Sequence, residues 1–377
     1  MTVTEQTPID QARDVRLKTL LSYLAADPGN SRLKVEAAEH ALSVGEPAIA
    51  LHVLGEPDAE LDAKALNLAG VARMQLGQFE QAAEGFQQLL SRGVDDASVH
   101  FNLSWSLARI GELERATDLL SDSVVEASPE AATLKVQLLQ ESGEYEPALQ
   151  LAGKLLDIHP DHAGLNAAVS VLAIDCEDAD LARRSALRAG AHPDALASLG
   201  TLALAEQQTD EAIAQFDRAL DTNPHIARAW IGRGLARLMR KDANAAAADL
   251  DRGAELFDDH AGSWIAAGWA HVMAGDLDQA GQRFERALAA DNEDAEAHGS
   301  LAVVDALQGR SEQAKDRAAT ALRLDAECIS ARLVDTLLSA GNGDPEAIQS
   351  LLKTLLETPL GDKGETAAQA LARRALN

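Results

Sequence analysis

The chain has 377 residues, 46% of them hydrophobic but only 3% aromatic, and its 60 acidic against 33 basic residues give a net charge of −27. Apolar content drawn mainly from Ala and Leu favours packed helices over a sheet core, because few aromatic or β-branched residues remain for strands. The charge repels phosphate backbones and no basic stripe offsets it, which argues against a nucleic-acid partner and favours basic protein partners.

The opening MTVTEQTPIDQARD lacks a basic stretch followed by an apolar one, so no secretory signal is read there. No run of about 18 apolar residues suggests a membrane span. A cytoplasmic location is the simplest expectation. Residues 1–10 are expected to be disordered. Residues 11–30, with QARDVRLKTLLSYLA ahead of DPGN, read as an N-terminal capping helix.

From residue 31 to 362 one design recurs. LGQFEQAAEGF (76–86), IGELERATDLL (110–120), SGEYEPALQLA (142–152), QQTDEAIAQF (207–216), RKDANAAAADL (240–250), AGDLDQAGQRF (274–284) and QGRSEQAKDRA (308–318) each start a helix after a turn. The turns fall at Gly45, Gly77, Gly111, Gly143, Glu177, Gln207, Lys241, Gly275, Gly309 and Gly343, mostly 34 residues apart. A fixed period of this size indicates a solenoid. Ahead of each turn lies another helical pattern, Trp230 with Gly234 and Trp264 with Gly268 being the clearest, Leu66 with Gly70 and Leu196 with Gly200 weaker copies. Residues 363–377, GETAAQALARRAL among them, read as a C-terminal capping helix.

This helix–turn–helix, with its W-x-x-x-G, Ala and Phe positions, resembles the tetratricopeptide repeat over about residues 31–356. The resemblance implies an all-α, right-handed superhelical solenoid of about ten tandem repeats. Small residues should face each other where the paired helices meet, as Gly268 with Ala280, Gly234 with Ala246 and Gly70 with Ala82. Trp264, Phe86, Phe216 and Phe284 should fill the space between helices and against the next repeat. Asp96, Asp259 and Asp294 suit helix starts, and Pro160 and Pro224 should end the helices before them. The pattern breaks between 160 and 200, where Glu177 replaces the turn glycine and the next turn follows after 30 residues. A shortened helix is expected there, and it is a candidate hinge.

Enzyme chemistry needs convergent polar groups, and none is legible. G-x-x-x-x-G-K-[ST], G-x-G-x-x-G after a strand, H-E-x-x-H and G-x-S-x-G are all missing. Cys176 and Cys328 lie far apart with no C-x-x-C, so neither a disulfide framework nor a thiolate zinc site is expected. His159 and His162 have ligand-like spacing but no third ligand nearby. No catalytic residue, cofactor or metal is expected. The carboxylate clamp known in the resembled family needs Lys and Arg partners. The matching positions carry Asn67, Val71, Asn102, Glu130 and Leu134, then Ala167, Ser198, Gly232 and Ala266, so that function is not carried over.

In the resembled family the first helix of each repeat lines an inner groove. The inward positions here are Asn67, Val71, Phe101, Trp105, Arg109, Arg228, Ile231, Leu235, Met239, Ile265, Trp269 and Met273, with Met74 beside them. Trp230 and Trp264 take the packing position, leaving Trp105 and Trp269 for the groove. The alternative is that curvature of the solenoid buries both against neighbouring repeats. Trp, Met and Arg are the side chains of binding hot spots. The expected function is therefore a non-catalytic protein–protein scaffold gripping a protein or peptide segment, apolar with basic flanks. The alternative is a ligand-regulated or accessory subunit of an enzyme or of a secretion or envelope-assembly complex. Self-association through the last helix, around Ala367–Leu376, is compatible with either.

Overall fold

The computed structural model describes residues 14–55, 62–257 and 259–340, together with the short pairs 359–360 and 365–366. The described residues form 21 helices, and the chain divides into two compact units at Leu172/Ala173. The N-terminal unit holds α1 (Val15–Ala26), α2 (Ser31–Ser43), α3 (Pro47–Leu54), α4 (Ala63–Gln75), α5 (Phe79–Ser91), α6 (Ala97–Arg109), α7 (Leu113–Asp118), α8 (Asp122–Ala127), α9 (Pro129–Glu141) and α10 (Tyr145–Ile158). Helix α11 (Ala163–Asp175) contains the division. The C-terminal unit continues with α12 (Ala179–Ala189), α13 (Pro193–Ala205), α14 (Thr209–Thr222), α15 (Ala227–Met239) and α16 (Ala243–Phe257). It closes with α17 (Ala261–Ala274), α18 (Leu277–Ala290), α19 (Ala295–Leu307), α20 (Ser311–Leu324) and α21 (Ile329–Ala340). Within each unit, helices pair with their chain neighbours as an all-α solenoid. The expected disorder of residues 1–10, the turn at Gly343 and self-association around Ala367–Leu376 fall outside the described residues. Of the expected C-terminal helix, only Glu365–Thr366 is described, and it pairs as strand with Pro359–Leu360.

Every described turn of the repeat adopts the left-handed conformation at the position that the spacing marks. Glycine takes it readily, as at Gly275 with φ 82°, but Glu177, Gln207 and Lys241 take it too, with φ of 59°, 60° and 64°. The hydrogen bonds explain why the turn persists without glycine. At Gly275 the N–H donates to Val272 O and the next N–H, of Asp276, to His271 O; Lys241 and Asp242 repeat this with Leu238 O and Arg237 O. These bonds satisfy the carbonyls left over at a helix end and reverse the chain into the second helix.

In three of the pairs an aromatic ring is set on a glycine. A methyl group on Gly70 would lie 2.6 Å from the Phe86 ring, and one on Gly200 2.7 Å from the Phe216 ring. Methyls on Gly232 and Gly268 would collide with Phe216 and Phe284. The glycines therefore make room for the ring, and Gly234 abuts the Ala246 carbonyl, as expected, as well as Leu250. Phe86, Phe216 and Phe284 are fully buried, each contributing about 2–3 kcal/mol of transfer free energy.

Two local departures have clear causes. The second helix expected after Gly111 is broken into α7 and α8 around Leu119–Ser121, in a stretch of Asp and Ser that favours caps over helix interiors. The carbonyls freed by the break find donors: Lys135 Nζ reaches Leu120 O at 2.6 Å and the Ser104 hydroxyl reaches Ala116 O at 2.6 Å. Helix α12 has 11 residues where α14 has 14, ending at Gly190. Asp294 caps α19 through Ala297 N at 2.8 Å, but α17 is capped by the His260 ring, not by Asp259.

Candidate functional site

On a first helix, residues four apart share a side, so the positions ten and six residues before each turn form one stripe. In the N-terminal unit that stripe is Asn67 and Val71 on α4, then Phe101 and Trp105 on α6, with Arg109 one turn further. It is open. Trp105 is 37% exposed, and its indole N–H has no hydrogen-bond partner among the described residues. Its ring centroid lies 6.3 Å from that of half-buried Phe101. The exposed Arg109 guanidinium sits 5.4 Å from the centre of the Phe79 ring on α5, which fixes a cation at the end of the stripe. Val71, Met74 and Asn67 are half-buried, and Asn67 Oδ1 is shielded from solvent without a hydrogen-bond donor. The arrangement offers aromatic area and an adaptable thioether.

The same stripe in the C-terminal unit is mostly shut. Ile231, Leu235, Ile265 and Trp269 are between 0% and 7% exposed, so the expectation that they line a surface is corrected. Arg228 is held by Asp175 through two hydrogen bonds of 2.8 and 3.3 Å. Met239 remains 48% exposed and Met273 half-buried.

At the end of this unit successive first helices come into close contact. A methyl on Gly299 would lie 2.7 Å from Cys328 Sγ and 2.8 Å from Ala331 N, so α19 lies against α21 backbone to backbone. A buried chain of hydrogen bonds crosses α17, α19 and α21. The Trp269 indole donates to Ser300 Oγ at 3.0 Å, Ser300 and Ser330 hydroxyls are 3.2 Å apart, and Ser330 donates to Glu296 at 2.6 Å. The ends fix the direction, since an indole N–H can only donate and the acceptor Glu296 carboxylate takes the Ser330 proton; Ser300 therefore donates to Ser330. Glu296 also accepts the backbone N–H of Ile329 and Ser330, placing its negative charge at the start of α21. Burial, with the Glu296 charge nearby, pushes the Cys328 thiol up to about 12, so it stays protonated. Sequence reasoning missed Ser300, Ser330 and Glu296; their one signal was Gly299 at the position where the two preceding repeats carry Ile231 and Ile265.

Arginine–aspartate brackets tie helices elsewhere in this unit. Asp249 receives Arg233 and Arg237 at 2.8 and 2.7 Å, and Asp305 receives Arg310 and Arg317 at 2.6 and 3.1 Å. Burial opposes the Arg233 charge, but hydrogen bonds to Asp249 and Asp217 outweigh it and raise its pKa. Two surface cavities of about 420 and 450 Å³ flank α18, but Arg317 and Arg283 on their walls are already committed to Asp305 and Asp251.

The histidine pair is structural. His159 Nε2–H donates to Val125 O at 3.1 Å, and His162 Nδ1 accepts the Leu165 N–H at 3.1 Å. Among the described residues no group of three or more His, Cys, Asp or Glu is placed to hold a metal ion. No helix among them is long and apolar enough to cross a membrane.

The tetratricopeptide repeat family profile matches residues 67–132 and 197–261. Among curated proteins none matches the chain in sequence. Similar solved structures include the APC/C hetero-tetramer Cut9–Hcn1, at 18% identity and TM-score 0.48 over 96% of this chain and 87% of that one. Pseudomonas aeruginosa pilF follows at 16% identity and TM-score 0.48, over 56% of this chain and 98% of that one. The MamA protein is similar at 18% identity and TM-score 0.38, over 44% and 92%.

Proposed function

Because the chain carries tetratricopeptide repeats, a fold that serves as a protein–protein interaction scaffold, we propose that it captures a partner segment on the first-helix stripe of its N-terminal unit. The observation that carries this reading is Trp105. At the same register Leu235, Trp269 and Val303 are buried, whereas Trp105 keeps 37% of its surface and an indole N–H with no partner among the described residues. Aromatic area of this kind, with a polar atom awaiting a partner, is what binding anchors provide. Phe101, Val71 and Met74 extend the anchor. The partner is an apolar segment with basic flanks, the flanks being drawn by a chain of net charge −27. The role is non-catalytic. Two free cysteines suit the reducing cytoplasm as its location.

A displayed peptide library selected on the full-length protein tests the reading. Selected peptides should be apolar with Lys or Arg at their ends, and Trp105→Ala should lose them while its helical CD and melting curve stay unchanged. Full retention of the selected peptides by Trp105→Ala would remove the proposal.

A further inference from the structure

The C-terminal half of helix α12 exposes two arginines in a strongly acidic chain. Ala182, Ser185, Ala186 and Ala189 turn inward; Asp180 is exposed in the first turn, and Arg184, Leu187 and Arg188 are exposed in the C-terminal half. Leu187 is 64% exposed. Arg184 and Arg188 stand one helical turn apart, so like charges share a face and disfavour each other. Several other arginines of this unit are bracketed by carboxylates: Arg183 by Glu206 at 2.5 Å, Arg283 by Asp251 at 2.7 Å, Arg233 and Arg237 by Asp249. Arg184 and Arg188 have no ion pair, hydrogen bond or ring contact among the described residues. Cations in the last turns of a helix favour its dipole, but one would suffice, and neither explains a leucine held in water between them.

We infer that the outer face of α12 binds an acidic partner segment, which sets an apolar side chain on Leu187 and a carboxylate against each of Arg184 and Arg188. Charge complementarity selects this occupant. On a chain of net charge −27, most surfaces repel a carboxylate-bearing segment, while this face attracts it. Guanidinium groups take carboxylates through paired hydrogen bonds, and covering Leu187 removes water from beside both pairs, which strengthens them. The site belongs to the C-terminal unit and takes a partner of opposite charge to the one proposed for Trp105, so it does not depend on that reading.

The test uses the full-length protein and a labelled helical peptide of alternating Glu-Glu and Leu-Leu pairs, followed by fluorescence anisotropy. Saturable binding is expected, and Arg184→Gln with Arg188→Gln should weaken it by about tenfold or more and flatten its salt dependence. Leu187→Ala should weaken binding at every salt concentration, and Trp105→Ala should leave it unchanged. All these side chains point into solvent or are partly exposed, so CD melting should confirm intact folding in each variant. Absence of saturable binding, undiminished binding by the double arginine variant, or equal loss with Trp105→Ala overturns the inference. Dimers in sedimentation that the double variant disperses would put a second copy on this face and overturn it equally.

Discussion

Trp269 donates its indole N–H to the Ser300 hydroxyl at 3.0 Å, binding α17 to α19 at the same register where Trp105 meets solvent. Two tryptophans in equivalent places thus have different work. The ring of Trp269 also meets Phe284 edge-on at 6.0 Å, inside the core. Trp269→Ala should therefore cost about 3–5 kcal/mol, and Trp269→Phe about 1–3 kcal/mol because Ser300 loses its donor. Trp105→Ala should stay within about 1 kcal/mol. Chemical denaturation of the three variants checks the ordering; equal losses for Trp105→Ala and Trp269→Ala would contradict it.

Gly268 lies under the Phe284 ring, where a methyl cannot fit unless the ring moves. Gly268→Ala is expected to destabilise by about 1–3 kcal/mol through overpacking. Adding Phe284→Leu should recover part of that loss, since the smaller side chain vacates the space. A double-mutant cycle measures the coupling, and strictly additive effects would refute the contact as the cause.

Lys241 holds φ 64° in a turn where Gly275 holds φ 82°. A side chain in that conformation costs about 1 kcal/mol or more relative to glycine. Lys241→Gly should accordingly raise stability by about 1 kcal/mol, and Gly275→Ala should lower it by a similar amount. Opposite shifts in melting temperature for the two variants are the expected readout.

Asp251 joins three helices, accepting from Arg283 at 2.7 Å and from the His271 ring at 3.0 Å. Burial alone would raise its pKa, but these hydrogen bonds outweigh burial and hold it below the ordinary 3.8. The unfolded chain therefore takes up this proton before the folded one. The stabilisation is fully present above the ordinary value and is lost as the pH falls through the lowered one. Asp251→Asn should be less stable than the wild type at neutral pH, and the gap should narrow in acid below that value. A gap independent of pH would show that the charge is not responsible.

The sequence by itself determined the repeat register. A turn every 30 to 34 residues is written in local chemistry, because a left-handed residue and the two hydrogen bonds around it form within a few positions of each other. The structure adopts that conformation even at Glu177, Gln207 and Lys241, where no glycine marks it. Helical phase likewise picked out Phe86, Phe216 and Phe284 as packing residues. What tertiary structure alone decided is which first-helix positions remain open. Val71 and Trp105 are accessible while Leu235, Trp269 and Val303 at the same register are not. For Val303 that outcome depends on how closely α19 approaches α21, and the distance is set by pairs far apart in sequence: Gly299 on Cys328, Ser300 on Ser330, Glu296 on the start of α21. Periodicity reports which face of a helix a residue occupies; it carries no information about the separation of two helices whose contact is made by small polar residues.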